Sequence, residues 1–409
     1  MEVDVLLADG SFGRCSVPSG ASTGDREAVE LRDCDPSRFD GLGVLCAVDN
    51  IIKEITPAII GREAGKQPDI DRTLVELDGT EDKSRLGANT LLGVSIAVVK
   101  AAASSRKVSL FKYLNTGEPF SLPVPMLNVL NGGKHAEGST DFQEFMVVPV
   151  GFDTFRRSLR AGVEIYHALK RNLSETGLGT SIGDEGGFAP AISSNRNALD
   201  LIVHAIETAG YQPGEQCFIA LDIAASELAD VEGKYRLHRE QKLVSTQELV
   251  DTYEKWIKEY PIISIEDGLS EHDWAGWSNF MDRLGSNIQL VGDDLFATNT
   301  KLIRLGIEQK VCNAVLVKLN QIGTVTETLE AISMAKTVGW GTIISHRSGE
   351  TEDTTISDLA VGTSAGQIKA GAPARGERTS KYNRLLRIEE SLGKDAIYAG
   401  MSAYERFGG

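Results

Sequence analysis

Ile219-Ala220-Leu221-Asp222, Ile263-Ser264-Ile265-Glu266, Leu290-Val291-Gly292-Asp293-Asp294, Val315-Leu316-Val317-Lys318, Ile343-Ile344-Ser345-His346-Arg347 and Gly366-Gln367-Ile368-Lys369 follow one pattern: a short apolar run that ends in an ionisable residue. The ends at 222, 266, 293, 318, 346 and 369 lie 44, 27, 25, 28 and 23 residues apart. Each gap is the length of a strand, a helix and two loops, the repeat of a (β/α) barrel. In such a barrel, strand ends far apart in sequence meet on one rim. Three carboxylates, two lysines and a His-Arg pair on that rim describe a cation site facing proton-transfer groups.

Working outward, Val124-Pro125-Met126-Leu127-Asn128-Val129-Leu130 and Phe142-Gln143-Glu144-Phe145-Met146-Val147-Val148 are two further strands with only a Gly-rich loop between them. No helix fits there, so the barrel is expected to open with an antiparallel pair. Helices are expected at about 153–176, 196–209, 246–259, 299–308 and 324–337. Before the barrel, Glu2–Leu7 and Phe12–Val17 flank an Asp9-Gly10 turn and read as a hairpin. Apolar positions recur at helical spacing over 45–60, 70–77 and 91–103. The expected architecture is α/β: a small α+β domain over 1–115, then a TIM-like (β/α)8 barrel over 120–409. The punctuation Pro119 to Pro125 marks the boundary.

At 409 residues the chain exceeds one small core. Its net charge of −16 argues against a nucleic-acid partner, whose phosphates the overall field repels. An anionic metabolite is not excluded, because bound cations with Lys318, Arg347 and Lys369 can make a pocket locally positive. No apolar run looks long enough to span a bilayer, and Met1-Glu2-Val3-Asp4 lacks signal-peptide character, so a cytoplasmic location is expected. Cysteines 15, 34, 46, 217 and 312 are odd in number and lack C-x-x-C spacing. Buried unpaired thiols are expected.

Asp222, Glu266 and Asp293 supply three oxygen ligands, half of an octahedral magnesium shell, with positions left for substrate and water. Singly, each acidic strand end reads more simply as a helix cap or solvated residue. Three in consecutive units are far more specific. Lys318 leaves a buried strand, where desolvation and nearby cations should lower its pKa towards that of a base. The plainer reading is a structural ion pair, and Lys369 invites the same two readings. Ser345-His346-Arg347-Ser348 concentrates donors suited to an anion. Gly183-Asp184-Glu185-Gly186-Gly187 reads first as a turn, and otherwise as a carboxyl of raised pKa that donates a proton. His167, His204, His238 and His272 read as structural or solvated.

SGASTG, LDGTEDKSRLGAN, NGGKHA, QEFM, GDEGGFAP, LDIAASE, SIEDGL, GDDLF, VKLNQIGT, SHRSGETEDT and KYNRLLRIEE run in order along nearly the whole chain, which resembles the enolase family. The resemblance implies reversible dehydration of 2-phospho-D-glycerate to phosphoenolpyruvate in glycolysis and gluconeogenesis. It implies two Mg²⁺ per site during turnover, with Mn²⁺ also suited to an all-oxygen site. By motif, Asp222, Glu266 and Asp293 hold the first cation and Ser22 helps hold the second. Lys318 takes the α-proton, and Glu185 protonates the leaving hydroxyl with Glu144 assisting. Arg347 and Ser348 bind phosphate, Lys369 the carboxylate, and Gln143 and Ser345 complete the contacts. His346 and His135 belong to the catalytic shell.

A homodimer or octamer is implied. A secondary cell-surface or secreted pool and RNA-processing partners are compatible with the family, but a scaffold role alone sits poorly with intact acid, base and metal residues. Racemases and cycloisomerising relatives typically carry Lys-x-Lys on an early strand, whereas this chain has Lys318-Leu319-Asn320 late in the barrel. Enolases usually carry one more strand before Glu2-Val3-Asp4-Val5. Its absence from this sequence leads us to expect a weakened dimer and a less stable first domain, which sedimentation showing a tight dimer at nanomolar protein would refute.

Overall fold

The computed structural model describes residues 1–20, 24–136 and 138–407. Eight strands close into a barrel in chain order: Val124–Asn131, Glu144–Val148, Phe218–Asp222, Ile262–Glu266, Gln289–Gly292, Ala314–Val317, Gly341–Ser345 and Gly366–Lys369. The last pairs in parallel with the first. Only Glu144–Val148 runs against its neighbours, so the antiparallel opening expected from the short Gly-rich loop is present. These strands are buried almost throughout, because helices cover the outer face and side chains fill the inside.

The five expected helices appear as Phe155–Glu175, Asn195–Thr208, Thr246–Glu259, Thr300–Gln309 and Val325–Thr337. Their starts follow Thr154, Ser194, Ser245, Asn299 and Thr324, each of whose side chains accepts a hydrogen bond from a first-turn amide. Ser245 and Glu248 form a reciprocal capping box. Trp274–Leu284, Thr355–Gly362 and Gly376–Leu392 complete the outer layer. Tyr404 and Phe407 join Val124, Met126, Leu316 and Ile343 in the apolar cluster inside the barrel.

The hairpin Glu2–Leu6 with Phe12–Ser16 lies against the helix Ala88–Ser105. Contact is close enough to require glycine at position 13. A Cβ there would stand 2.1 Å from the Ala97 carbonyl oxygen, and backbone cannot yield as a flexible side chain can. The same helix corrects one expectation, since with mean hydropathy 1.3 it is long and apolar enough to cross a membrane. Its 83% burial explains the composition instead: it is the core of the first domain. The thiols also need correction. Cys15, Cys217 and Cys312 are buried, whereas Cys34 and Cys46 are exposed on the loop and short helix around 34–46.

The first domain is stitched to the barrel rim. Ser19 and Gly349 exchange two backbone hydrogen bonds of 2.9 Å, and Ala28 donates to the Gln321 carbonyl at 2.9 Å. Asp71 accepts from the Thr326 amide and hydroxyl at 2.9 and 2.6 Å, and Lys100 pairs with Asp353 at 2.7 Å. The segment that joins Ser19 to Ala28 is therefore fixed at both ends beside the rim.

Candidate active site

Strand direction decides which residues meet. Because Glu144–Val148 runs backwards, its N-terminal residue reaches the rim where its neighbours end. Glu144 pairs laterally with Asp222, and Asp222 with Glu266, giving a row of three carboxylates on adjacent strands. Asp293 and Lys318 follow the next two strand ends, and Ser345 pairs with Lys369. One cleft, partly open to solvent, is lined by every site residue expected from the sequence except two. Glu266 stands behind it, touching Lys369, and Ser22 lies outside the described residues.

The lysines divide the carboxylates between them. Lys369 Nζ lies 2.8 Å from Asp222 Oδ2, 2.8 Å from Glu266 Oε1 and 3.3 Å from Glu144 Oε2. Lys318 Nζ is paired with Asp293 Oδ2, whose Oδ1 accepts from Gln321 at 2.9 Å. Arg347 Nη1 donates to Glu27 Oε2 at 2.7 Å and to Asn320 at 3.1 Å. Beyond Lys369, His135 Nδ1 stands 3.6 Å from Glu144 Oε1 and 3.9 Å from Glu185 Oε1. His346 Nε2 is 3.2 Å from Glu185 Oε2, which also accepts from Asn128 at 3.0 Å.

Both parts of the chain match models of one family: "Enolase, N-terminal domain" over residues 1–114 and "Enolase, C-terminal TIM barrel domain" over residues 119–407. The chain belongs to the enolase family. It is thereby an enolase-type lyase, and such enzymes generally use Mg²⁺.

The enolase rim suits a hard divalent cation. Its donors are all carboxylate oxygens, and Glu266 Oε2 is buried with no hydrogen-bond partner among the described residues. The ammonium of Lys369 sits between Asp222 and Glu266, and Asp293 gathers with Asp267 and Asp294, one oxygen of each within 4.8 Å of the others.

The protein's own neighbouring charges set the protonation of Lys318 and Glu185. Burial pulls the Lys318 ammonium down, but the Asp293 carboxylate against it wins and carries it above the usual lysine range. Burial likewise lifts Glu185, but the His346 and His135 rings and the Arg378 guanidinium outweigh it and hold the carboxyl well below the usual range. Glu144 is the raised partner, pushed well up by burial and by the charge of Glu185. Burial and the neighbouring Asp222 also lift Glu266 well above the usual range.

Sequence reading missed the residues that hold this machinery in place. Arg378, fully buried, donates to the carbonyls of Arg347 and Ser348 at 2.6 Å and of Asp184 at 3.1 Å. Its Nη1 also meets His346 Nδ1. A guanidinium can only donate, so Nδ1 is the acceptor and Nε2 carries the hydrogen towards Glu185. Asp267 accepts from the amides of Asp293 and Asp294 at 2.9 Å each, and turns there with φ 43. Glu27 reaches in from the first domain. The acidic Glu266-Asp267 pair was visible in sequence, but nothing local marked Arg378 or Glu27.

His346 stays neutral because burial, first of all, pulls its pKa from 6.5 to about 3. Unfolded, the ring takes up a proton on acidification that the folded ring refuses. Its contribution to stability is thus complete above 6.5 and declines as pH falls towards about 3. His346→Gln should make the stability profile shallower across that window, by up to about 1.4 kcal/mol per pH unit. Denaturant titrations at stepped pH check this, and parallel slopes for both proteins would contradict it.

Proposed function

We propose that the chain catalyses the reversible, Mg²⁺-dependent dehydration of 2-phospho-D-glycerate to phosphoenolpyruvate, as a cytoplasmic step of glycolysis and gluconeogenesis. One observation carries the reading: a buried lysine and a buried pair of carboxyls with opposed pKa shifts share one cleft with the carboxylate row. Titratable groups driven apart in this way are what acid and base catalysis on one substrate requires, and a lysine base with divalent cations is the arrangement known for the enolase superfamily.

Elimination needs a proton removed from the carbon next to an ionised carboxylate and a hydroxyl lost from the next carbon. Lys318 is the base. Paired with ionised Asp293 it is held protonated, so it must first release that proton to solvent before it can take the substrate's. Asp222, Glu266 and Asp293 would hold a divalent cation, which would supply the positive charge that a substrate carboxylate needs. A second cation, with Ser22 as one ligand, belongs to the same proposal, and Mn²⁺ can substitute for Mg²⁺.

The proton for the leaving hydroxyl resides on the Glu144–Glu185 pair. Burial and the Glu185 charge favour protonation of Glu144, and Glu185, with His346 on one side and His135 on the other, would deliver the proton to the leaving hydroxyl. Lys369 is suited to the substrate carboxylate, and Gln143, Ser345 and Ser348 to its oxygens. Arg347, a forked donor, takes the phosphate, and Glu27 holds the guanidinium in position meanwhile.

Ultraviolet absorbance of the conjugated enol product should grow on adding 2-phosphoglycerate and Mg²⁺. Lys318→Ala should slow this by about 10²- to 10⁴-fold or more, with substrate binding largely kept. A folded, Mg²⁺-bound protein without turnover, or an alanine variant at full rate, would overturn the reading.

A further inference from the structure

Outside the catalytic cleft lies an open groove that shares Glu227 and Asp294 with it. Asp25, Glu271 and His272 gather in this groove, each offering a ligand atom within 4.8 Å of the others. His272 Nε2 is 3.7 Å from Asp25 Oδ2. Asp25 and His272 are exposed, but Glu271 is 5% exposed, and its Oε2 is buried with no hydrogen-bond partner among the described residues. The nearest cation, Arg26 Nε, is 3.9 Å from that oxygen, too far for a hydrogen bond. Arg26 is turned instead to the Leu295 carbonyl at 3.3 Å and to the face of Trp274.

The turn beneath the cluster is rigidly held. The Glu271 amide donates to Ser226 Oγ at 3.0 Å, its carbonyl accepts from Trp274 Nε1 at 3.1 Å, and the Asp273 amide donates to the Ser270 carbonyl at 3.0 Å. A desolvated carboxylate oxygen is thus fixed in place, with a carboxylate and an imidazole within reach. Ligands on one ion with bonds of about 2 Å stand roughly 3.3 Å apart. Asp25 and His272, being exposed, are the side chains free to rotate towards that spacing.

We propose that Asp25, Glu271 and His272 bind a divalent transition-metal ion of the Zn²⁺ or Co²⁺ type, at a site separate from the all-oxygen site in the cleft. One imidazole with two carboxylates favours such ions over Mg²⁺, which prefers oxygen alone and keeps its waters. Bound there, the ion clasps the 24–26 segment of the first domain to the 270–273 turn of the barrel. The inference does not depend on the reaction proposed above.

The test is Co²⁺ titration of the metal-stripped full chain in excess Mg²⁺, followed by visible absorption and calorimetry. One Co²⁺ should bind without displacement by Mg²⁺. Asp25→Asn and His272→Ala, both at exposed positions where folding is not at risk, should each weaken it by at least about tenfold. Perturbation of the His272 ring resonances should accompany binding. Absence of Mg²⁺-resistant Co²⁺, or unchanged affinity in both variants, would overturn the proposal.

Discussion

Too many carboxylates for the cations available is the condition on which the rim depends. Glu144, Glu185, Asp222, Glu266, Asp267, Asp293 and Asp294 crowd one end of the barrel against Lys318, Lys369 and an Arg347 already engaged by Glu27. Buried unpaired carboxylates cost several kcal/mol each, which favours their protonated forms. Burial, with a neighbouring charge in support, lifts Glu144, Glu266 and Asp267 well above the usual range and Asp294 to about 8. Such a rim is poised to exchange protons and ammonium contacts for a divalent cation. The fold tolerates the excess because two lysines and the Asp293 and Asp294 amides take part of it.

Topology turns that excess into an ordered site. One reversed strand places Glu144 in line with Asp222 and Glu266, and the Glu185 loop closes against it through Asn128 and the histidines. Arg378 then ties three separate pieces together: the Asp184 loop, the His346-Arg347-Ser348 run and its own helix. A single buried guanidinium thus fixes both the tautomer of His346 and the backbone that presents Arg347. Conformational cost is visible nearby, at Ala224 with φ 48, two residues beyond Asp222, where a side chain in the left-handed region costs about 1–2 kcal/mol.

Much of this was legible in the sequence. Apolar runs ending in charge marked six barrel strands, and the short loop before Gln143 marked the reversed one, because both signals are local. The residues lining the cleft were legible through motif order. Their protonation was not, since it depends on distances between chains of residues that only the closed barrel brings together. Lys318 and Asp293 are 25 residues apart yet in contact, and that contact raises the pKa of Lys318. Glu27 and Arg378 were missed for the same reason: each acts across a separation that no periodicity encodes.

The most direct measurement is calorimetric titration of Mg²⁺ into the metal-free protein near neutral pH, in buffers of differing ionisation enthalpy. A rim that stores protons on its raised carboxyls must give them up when a cation binds, so the observed heat should vary with the buffer and report net proton release. Binding heats that are the same in every buffer would contradict the account, because they would mean that the carboxylates were already ionised and waiting.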